Sequence, residues 1–129
     1  MKERELVSAV RESAAIAADE HADRAVRATL MVLGERLAGE ESGDLAVRLP
    51  PELAEVLPEE GRGEQFGVRE FYERVAGVEG VNDVRLARRH ARAVLAVIRS
   101  LIPLEQYEHL TARLPDDYDD LLNPQPVRR

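Results

Sequence analysis

Five arginines fall on one face of a helix that the sequence predicts over residues 84–102. At about 100° per residue their spacing confines them to roughly 100° of arc, and no acidic residue lies within this helix. Guanidinium groups bind phosphates and carboxylates through charge-assisted hydrogen bonds. We call this set the arginine face and regard it as a candidate site for an anion, a nucleic acid or an acidic partner. Its members are Arg85, Arg88, Arg89, Arg92 and Arg99.

The same arginines also fit a solvated surface that carboxylates neutralise, and from the sequence we favour this interpretation. Residues 105–120 contain six acidic residues and a single arginine, Arg113, so partners of opposite charge are close at hand. The formal net charge of the chain is −7. A negative field repels phosphate, which disfavours a general nucleic-acid binder and an anionic-membrane binder.

The spacing of the histidines predicts no metal site and no cofactor. A helical di-iron site needs an acidic residue three positions before a histidine, and His21, His90 and His109 all lack one. His90 falls on the apolar arc of its helix, where a hydrogen-bonded core histidine is the better interpretation. The acidic run 116–120 lacks the glycine and the distal glutamate of a calcium loop, so it predicts a short acidic helix.

The sequence offers no catalytic residue either, and we expect a protein that is not an enzyme. The chain has no cysteine, which excludes disulfides, thiolate metal sites and cysteine nucleophiles. It has no glycine-rich phosphate loop and no serine in a nucleophile elbow. Adjacent carboxylates such as Glu40 and Glu41 lie in turn-rich sequence, where we expect them to be exposed.

Hydrophobic periodicity predicts that helices position all of these residues. Gly80 reads as a helix stop, and Asn82 or Asp83 as the cap of the next helix. The corresponding bend in the first half is expected near Ala17 and Ala18, with Asp19 as the cap. The expected helices cover residues 3–15, 20–37, 43–49, 51–57, 68–78, 84–102, 104–114 and 116–122. The expected core includes Leu30, Leu33, Leu37, Leu95, Ile98 and Ile102.

The chain contains one segment twice, since residues 4–57 align with residues 69–122 at a fixed offset of 65 without a gap. Fifteen of the 54 aligned positions are identical, where composition alone would give about five. We therefore predict one all-α domain over residues 1–129, made of two four-helix repeats related by a pseudo-twofold axis. Residues 58–67 are the expected linker and residues 123–129 a flexible tail.

An Arg-Leu-Pro signature recurs in both repeats, at 48–50 and 113–115. We expect the leucine to pack and the proline to begin a helix. Arg48 could then reach Glu52, and Arg113 could reach Asp117. The arginine face, in contrast, belongs to the second repeat alone, because the aligned face of the first repeat carries acids as well as arginines.

These repeats resemble a bacterial family known only as domain of unknown function 2267. The segments that carry the resemblance are Arg-Leu-Pro-Pro-Glu-Leu at 48–53, Phe-Gly-Val-Arg-Glu-Phe-Tyr at 66–72 and Arg-Leu-Pro-Asp-Asp-Tyr at 113–118. The resemblance covers nearly the whole chain. It implies a helical fold of two repeats and no established activity, so it supplies no catalytic residues.

Two functional hypotheses follow, and the first is a non-enzymatic interaction module that self-associates. Its hint is Met31, an apolar residue on an otherwise polar helix side beside Gly34. The second hypothesis is anion or nucleic-acid binding by the arginine face.

The charged residues 2–5 are not typical of a signal peptide, and no stretch approaches the roughly 20 apolar residues of a membrane span. We therefore expect a cytoplasmic protein with a protein partner.

Overall fold

The computed structural model describes residues 1–58 and 60–122, and this part of the chain is mostly helical. The prediction of an all-α fold is confirmed. The predicted tail over 123–129 lies outside the described residues. The helices are α1 (Glu3–Ser13), α2 (Asp19–Arg36), α3 (Glu41–Ala46), α4 (Pro51–Ala54), α5 (Val68–Glu79), α6 (Val84–Leu101), α7 (Leu104–Thr111) and α8 (Asp119–Leu122), with a 3₁₀ turn at Asp116–Tyr118 before α8.

The long helices α2 and α6 lie at the centre of the packing. They contact each other, and both contact α1 and α5, while α8 covers another part of α6. Side chains from both halves form a continuous apolar cluster. All six residues expected in the core are buried there, and none exposes more than the 6% of Ile102. Aliphatic side chains at helical spacing therefore join the two halves.

A short antiparallel pair of strands joins the end of α2 to the segment predicted as a linker. The strands are β1 (Ala38–Gly39) and β2 (Gly61–Arg62), with Ala38 opposite Arg62. The backbone N–H of Gly63 also donates to the carbonyl of Leu37 over 2.8 Å. The linker is thus tied to the first half by backbone hydrogen bonds, which the sequence did not indicate because two-residue strands carry no periodic pattern.

The first helix of each half ends in the same backbone conformation, although only one half has a glycine there. Gly80 ends α5 with a left-handed φ of 82°, as predicted, and Asp83 caps α6. The aligned Ala15 follows α1 with a φ of 56°. The break between α1 and α2 covers residues 14–18, so the bend expected near Ala17 and Ala18 is present, whereas Asp19 as the cap is wrong, because Ala18 occupies the cap position of α2.

The arginines of the two Arg-Leu-Pro signatures contact the opposite half of the molecule. Arg48 Nε donates to Gln106 Oε1 over 3.1 Å, and Arg113 Nε lies 3.6 Å from Glu41 Oε2. The expected partners, the acids that follow each proline, are not used. Gln106 and Glu41 are themselves aligned positions of the repeat, so the two contacts are reciprocal. Reciprocal contacts are what a twofold relation produces, and that relation stays a prediction.

Glu41 corrects a second expectation, since only 7% of its surface is exposed. Its neighbour Glu40 is exposed, as expected. The largely exposed guanidinium of Arg113 lies 3.6 Å from Glu41 Oε2, and this buried oxygen has no hydrogen-bond partner within the described residues. Leu49 is buried, and Pro50 directly precedes α4. Each signature arginine therefore contacts the opposite half at the surface, and its structural role stays a prediction, since exposed contacts of this kind contribute under about 1 kcal/mol.

Candidate functional site

The arginine face is set by the opposite, apolar side of α6. Asp83 caps this helix, because its carboxylate accepts a hydrogen bond from the Arg85 backbone N–H over 2.9 Å. That cap fixes where the helix begins, and burial of the apolar stripe fixes its rotation. The buried residues of the stripe are Ala87, His90, Ala91, Ala93, Val94, Leu95 and Ile98. The arginines are left on the outer side.

Arg88 is neutralised by a carboxylate from α8. Its Nε and Nη2 donate to the two carboxylate oxygens of Asp120 over 2.7 and 2.6 Å. The Tyr72 hydroxyl donates to the same group over 2.7 Å. The hydrogen bonds from Arg88 lower the pKa of the Asp120 carboxyl to about 2, although burial opposes this shift. This pair confirms, for one arginine, the pairing with residues 105–120 that we favoured.

Two further arginines have weaker partners. Arg85 Nε lies 3.4 Å from Asp83 Oδ1, but 93% of the Arg85 side chain is exposed, so solvent screens this contact. The guanidinium carbon of Arg99 lies 5.5 Å from the centroid of the Tyr107 ring. A cation over a ring face is stabilised by the ring quadrupole and keeps its full charge.

The remaining arginines, Arg89 and Arg92, form no salt bridge with any residue in 1–58 or 60–122, although the charge of Arg92 helps to lower the pKa of the nearby Asp120 carboxyl. Arg89 is exposed to solvent, and Arg92 is half-buried. The Nε of Arg92 is shielded from water and lacks a hydrogen-bond partner within the described chain. A buried donor without a partner is costly, so the hydrogen-bonding capacity of Arg92 is incompletely satisfied within the described chain.

The first repeat shows how Arg92 differs from its aligned counterpart, Arg27. The Nε of Arg27 donates to Asp23 over 3.0 Å, and its Nη2 donates to Glu3 over 2.5 Å. These two carboxylates satisfy the first-repeat guanidinium. The positions aligned with those acids are occupied by Arg88 and Val68. The second repeat therefore has the arginine but neither of the aligned acids.

Met31 lies on α2 with 43% of its surface exposed. It borders an open cleft of about 320 Å³ together with Val56, Leu57 and Pro58. Gly34 is buried beneath this cleft, since a Cβ at that position would lie 2.8 Å from Pro58 Cδ. The absence of a side chain at Gly34 therefore makes room for Pro58 of the same molecule and not for a partner protein.

The structure also assembles a cluster that sequence spacing did not indicate. His21, Glu79 and His90 bring together three side-chain donor atoms that all lie within 4.8 Å of one another. His90 Nδ1 and Glu79 Oε2 are 2.5 Å apart, and His21 Nε2 lies 3.3 Å from the same oxygen. The rings of His21 and His90 meet edge to face, with centroids 5.4 Å apart. We call these three residues the His–Glu–His cluster.

Three different helices contribute to this cluster. His21 lies in the first turn of α2, Glu79 is the last residue of α5, and His90 lies on the buried side of α6. His90 is hydrogen-bonded and 1% exposed, as expected of a core histidine. The position of His90 on the apolar side of its helix was the only sequence feature that pointed to this cluster. A search for acid and histidine on one helix could not find partners from α2 and α5.

All aromatic side chains of the protein are buried. The chain has three tyrosines, two phenylalanines and no tryptophan, and their exposed fractions do not exceed 8%.

Within the described residues no helix is long and apolar enough to cross a membrane.

Residues 3–121 match the model of a family described as "Uncharacterized conserved protein (DUF2267)". The chain belongs to this family. The resemblance stated for the repeats is thereby confirmed, over nearly the whole length of the sequence. No curated protein matches the chain. Because the description of the DUF2267 family assigns no activity, the function has to be argued from the surfaces and clusters described above.

Proposed function

We propose that the protein is a non-enzymatic interaction module, whose arginine face binds an acidic segment of a partner protein. The observation that carries this proposal is the contrast between Arg27, which two acids of its own repeat satisfy, and Arg92, whose Nε has no partner among the described residues. Arg89, Arg85 and Arg92 then offer several guanidiniums to carboxylates along one helix.

An acidic protein segment suits this surface better than a nucleic acid. The net charge of −7 repels a long polyanion, whereas a short acidic segment meets mainly the local positive charge. Single-stranded nucleic acids are bound largely by stacking on aromatic side chains, and all five aromatic residues are buried. Attraction between exposed charges acts over a distance and is screened by salt. We therefore expect a fast association rate and an affinity that falls as the salt concentration rises.

The test is a charge reversal at two exposed arginines of the face, Arg85→Glu with Arg89→Glu. The matched control is Arg4→Glu with Arg24→Glu, which changes the net charge equally at exposed positions of the first repeat. Fluorescence anisotropy of a labelled short oligoglutamate peptide at about 50 and 200 mM salt measures binding. We expect the control to bind like the unmodified protein and the face variant to lose at least about tenfold in affinity.

A DNA duplex is the competing probe in the same experiment. Tighter binding to DNA than to the oligoglutamate peptide would favour the nucleic-acid hypothesis over ours. Equal loss in both double variants would assign the effect to net charge alone and contradict a local site. Capture of partners from a cell lysate, with and without nuclease, adds a second measurement, and we expect a nuclease-resistant protein that the face variant does not retain.

Self-association at Met31 is a second candidate, and the exposed methionine beside the apolar cleft with Leu57 and Pro58 favours it. A second copy would bury this methionine, and a charge there would oppose the contact. Sedimentation velocity of the unmodified protein and of Met31→Glu tests it, with Val47→Glu as the control at another exposed apolar residue. We expect a dimer that only Met31→Glu dissociates. A monomer at every concentration rejects this candidate.

A further inference from the structure

We propose that the His–Glu–His cluster binds a divalent first-row transition-metal ion such as Zn²⁺. The donor atoms come from three helices and converge within 4.8 Å of one another. This site is separate from the arginine face and does not depend on the interaction proposed for it.

The donor set is selective for this class of metal. Two imidazole nitrogens and a carboxylate oxygen form the ligand set of several catalytic zinc sites and of two-histidine, one-carboxylate iron sites. Mg²⁺ and Ca²⁺ prefer sites made of oxygen alone. Three protein ligands leave at least one coordination position for water.

Burial makes the cluster unusual. Glu79 exposes 2% of its surface and His90 exposes 1%, so a carboxylate and an imidazole are held away from solvent. His90 Nδ1 forms a hydrogen bond with one oxygen of the Glu79 carboxylate, Oε2. The other oxygen, Glu79 Oε1, is shielded from water without a hydrogen-bond partner in the described residues, and the shielded His21 Nε2 atom makes a long contact of 3.3 Å with Glu79 Oε2 that lacks hydrogen-bond geometry. One cation among these atoms would satisfy both, since imidazole and carboxylate lone pairs are metal ligands.

The fold itself does not require polar residues at these positions. The repeat alignment pairs His21 with Leu86, Glu79 with Ala14 and His90 with Ala25. Ala14 and Ala25 are buried, which shows that apolar side chains fill the aligned positions without difficulty. Packing alone would therefore favour apolar side chains at these three positions. Polar side chains there point to a role other than packing.

The geometry needs small adjustments to accept an ion. Bonds of about 2.0–2.2 Å from a zinc ion hold donor atoms roughly 3–4 Å apart. The 2.5 Å separation of His90 Nδ1 from Glu79 Oε2 must widen, because the ion takes the place of the hydrogen between these two atoms. His21 is the adjustable ligand, since 33% of its side chain is exposed and it lies at the edge of the site. The same edge gives an ion access from solvent.

Metal titration of the chelator-treated protein tests the proposal. We expect Zn²⁺ at about 100 times its dissociation constant to raise Tm by roughly 10 °C, and Mg²⁺ to have no effect. Co²⁺ should produce visible absorption bands of a nitrogen- and oxygen-ligated ion. His21→Ala should weaken binding by at least about tenfold. The matched control is His109→Ala, which removes an exposed histidine of α7 and should bind like the unmodified protein.

Two results overturn the proposal. One is the absence of any stabilisation by Zn²⁺, Co²⁺ or Mn²⁺, and the other is equal binding by the unmodified protein and His21→Ala, which would place the ion elsewhere. Glu79→Gln removes the charged ligand and should also abolish binding. If that buried substitution prevents folding, His21→Ala still decides, because it lies at the surface and leaves the pair of Glu79 and His90 intact.

Discussion

At the scale of single residues, Asp120 is the acid that most strongly restrains the arginine face. Its carboxylate accepts hydrogen bonds from Arg88 and from the Tyr72 hydroxyl. Burial, followed by this hydrogen bond, raises the pKa of Tyr72 above its usual value. Asp120 therefore lowers the number of arginines open to a partner and links α8 to α6 at the same time.

The low pKa of Asp120 predicts a stability that depends on acid. The folded protein holds this pKa at about 2 against an ordinary 3.8, so the unfolded chain binds the proton more readily. Its stabilisation is therefore complete above about pH 4 and is lost as the pH falls towards 2. Because both partners are more than a third exposed, we expect a contribution of about 1 kcal/mol.

Urea unfolding of the unmodified protein and of Asp120→Asn measures this contribution. The variant should be less stable at neutral pH, and the difference should shrink between about pH 4 and pH 2. Asp116→Asn, at an exposed position of the same acidic segment, serves as the control and should change little. A difference that persists unchanged at acid pH would show that the charge of Asp120 is not its source.

At the scale of elements, the ends of α1 and α5 form a natural comparison. The N–H of Ile16 donates to the carbonyl of Arg11, and the N–H of Val81 to that of Ala76, so aligned residues close both helices. The left-handed residue before each of them is Ala15 in one half and Gly80 in the other. An alanine in this conformation costs roughly 1–2 kcal/mol, and glycine avoids that cost.

This comparison predicts opposite effects for two substitutions. Ala15→Gly should stabilise the protein by up to about 1 kcal/mol, since relief of the left-handed strain exceeds the extra freedom of glycine in the unfolded chain. Gly80→Ala should destabilise it by about 1 kcal/mol. A Cβ at Gly80 meets no atom within 4 Å, so backbone conformation is the only cause. Urea midpoints measure both, and the same sign for both would contradict this explanation.

At the scale of the whole molecule, the two halves share one apolar cluster and should unfold together. Leu30 and Leu95 are aligned residues of the central helices, exposed by 0% and 1%. Alanine at either position should cost roughly 2–5 kcal/mol, because it removes buried contacts and leaves a cavity. Calorimetry should show one transition at a lower temperature in both variants, while Met31→Ala should differ little. Two separate transitions would mean that each half folds alone.

The sequence by itself determined the helices, their buried faces and the repeat. Leu30, Leu95 and their neighbours could be assigned to the core, because apolar residues that recur at the helical period lie on one side of the helix, and that side is buried. The arginine face followed from the same geometry, since its members lie on one element. The Arg-Leu-Pro signature was also visible, and so was the glycine that ends α5.

The tertiary structure alone decided which elements meet. The contact of Arg48 with Gln106, the strand pair formed with the linker, and the convergence of His21, Glu79 and His90 all join residues distant in sequence. Periodicity shows which side of a helix is buried, but it carries no information on the neighbour that buries it. That choice depends on how α2, α5 and α6 pack in three dimensions. The physical reason is that packing couples residues on separate helices, whereas local spacing constrains residues on one.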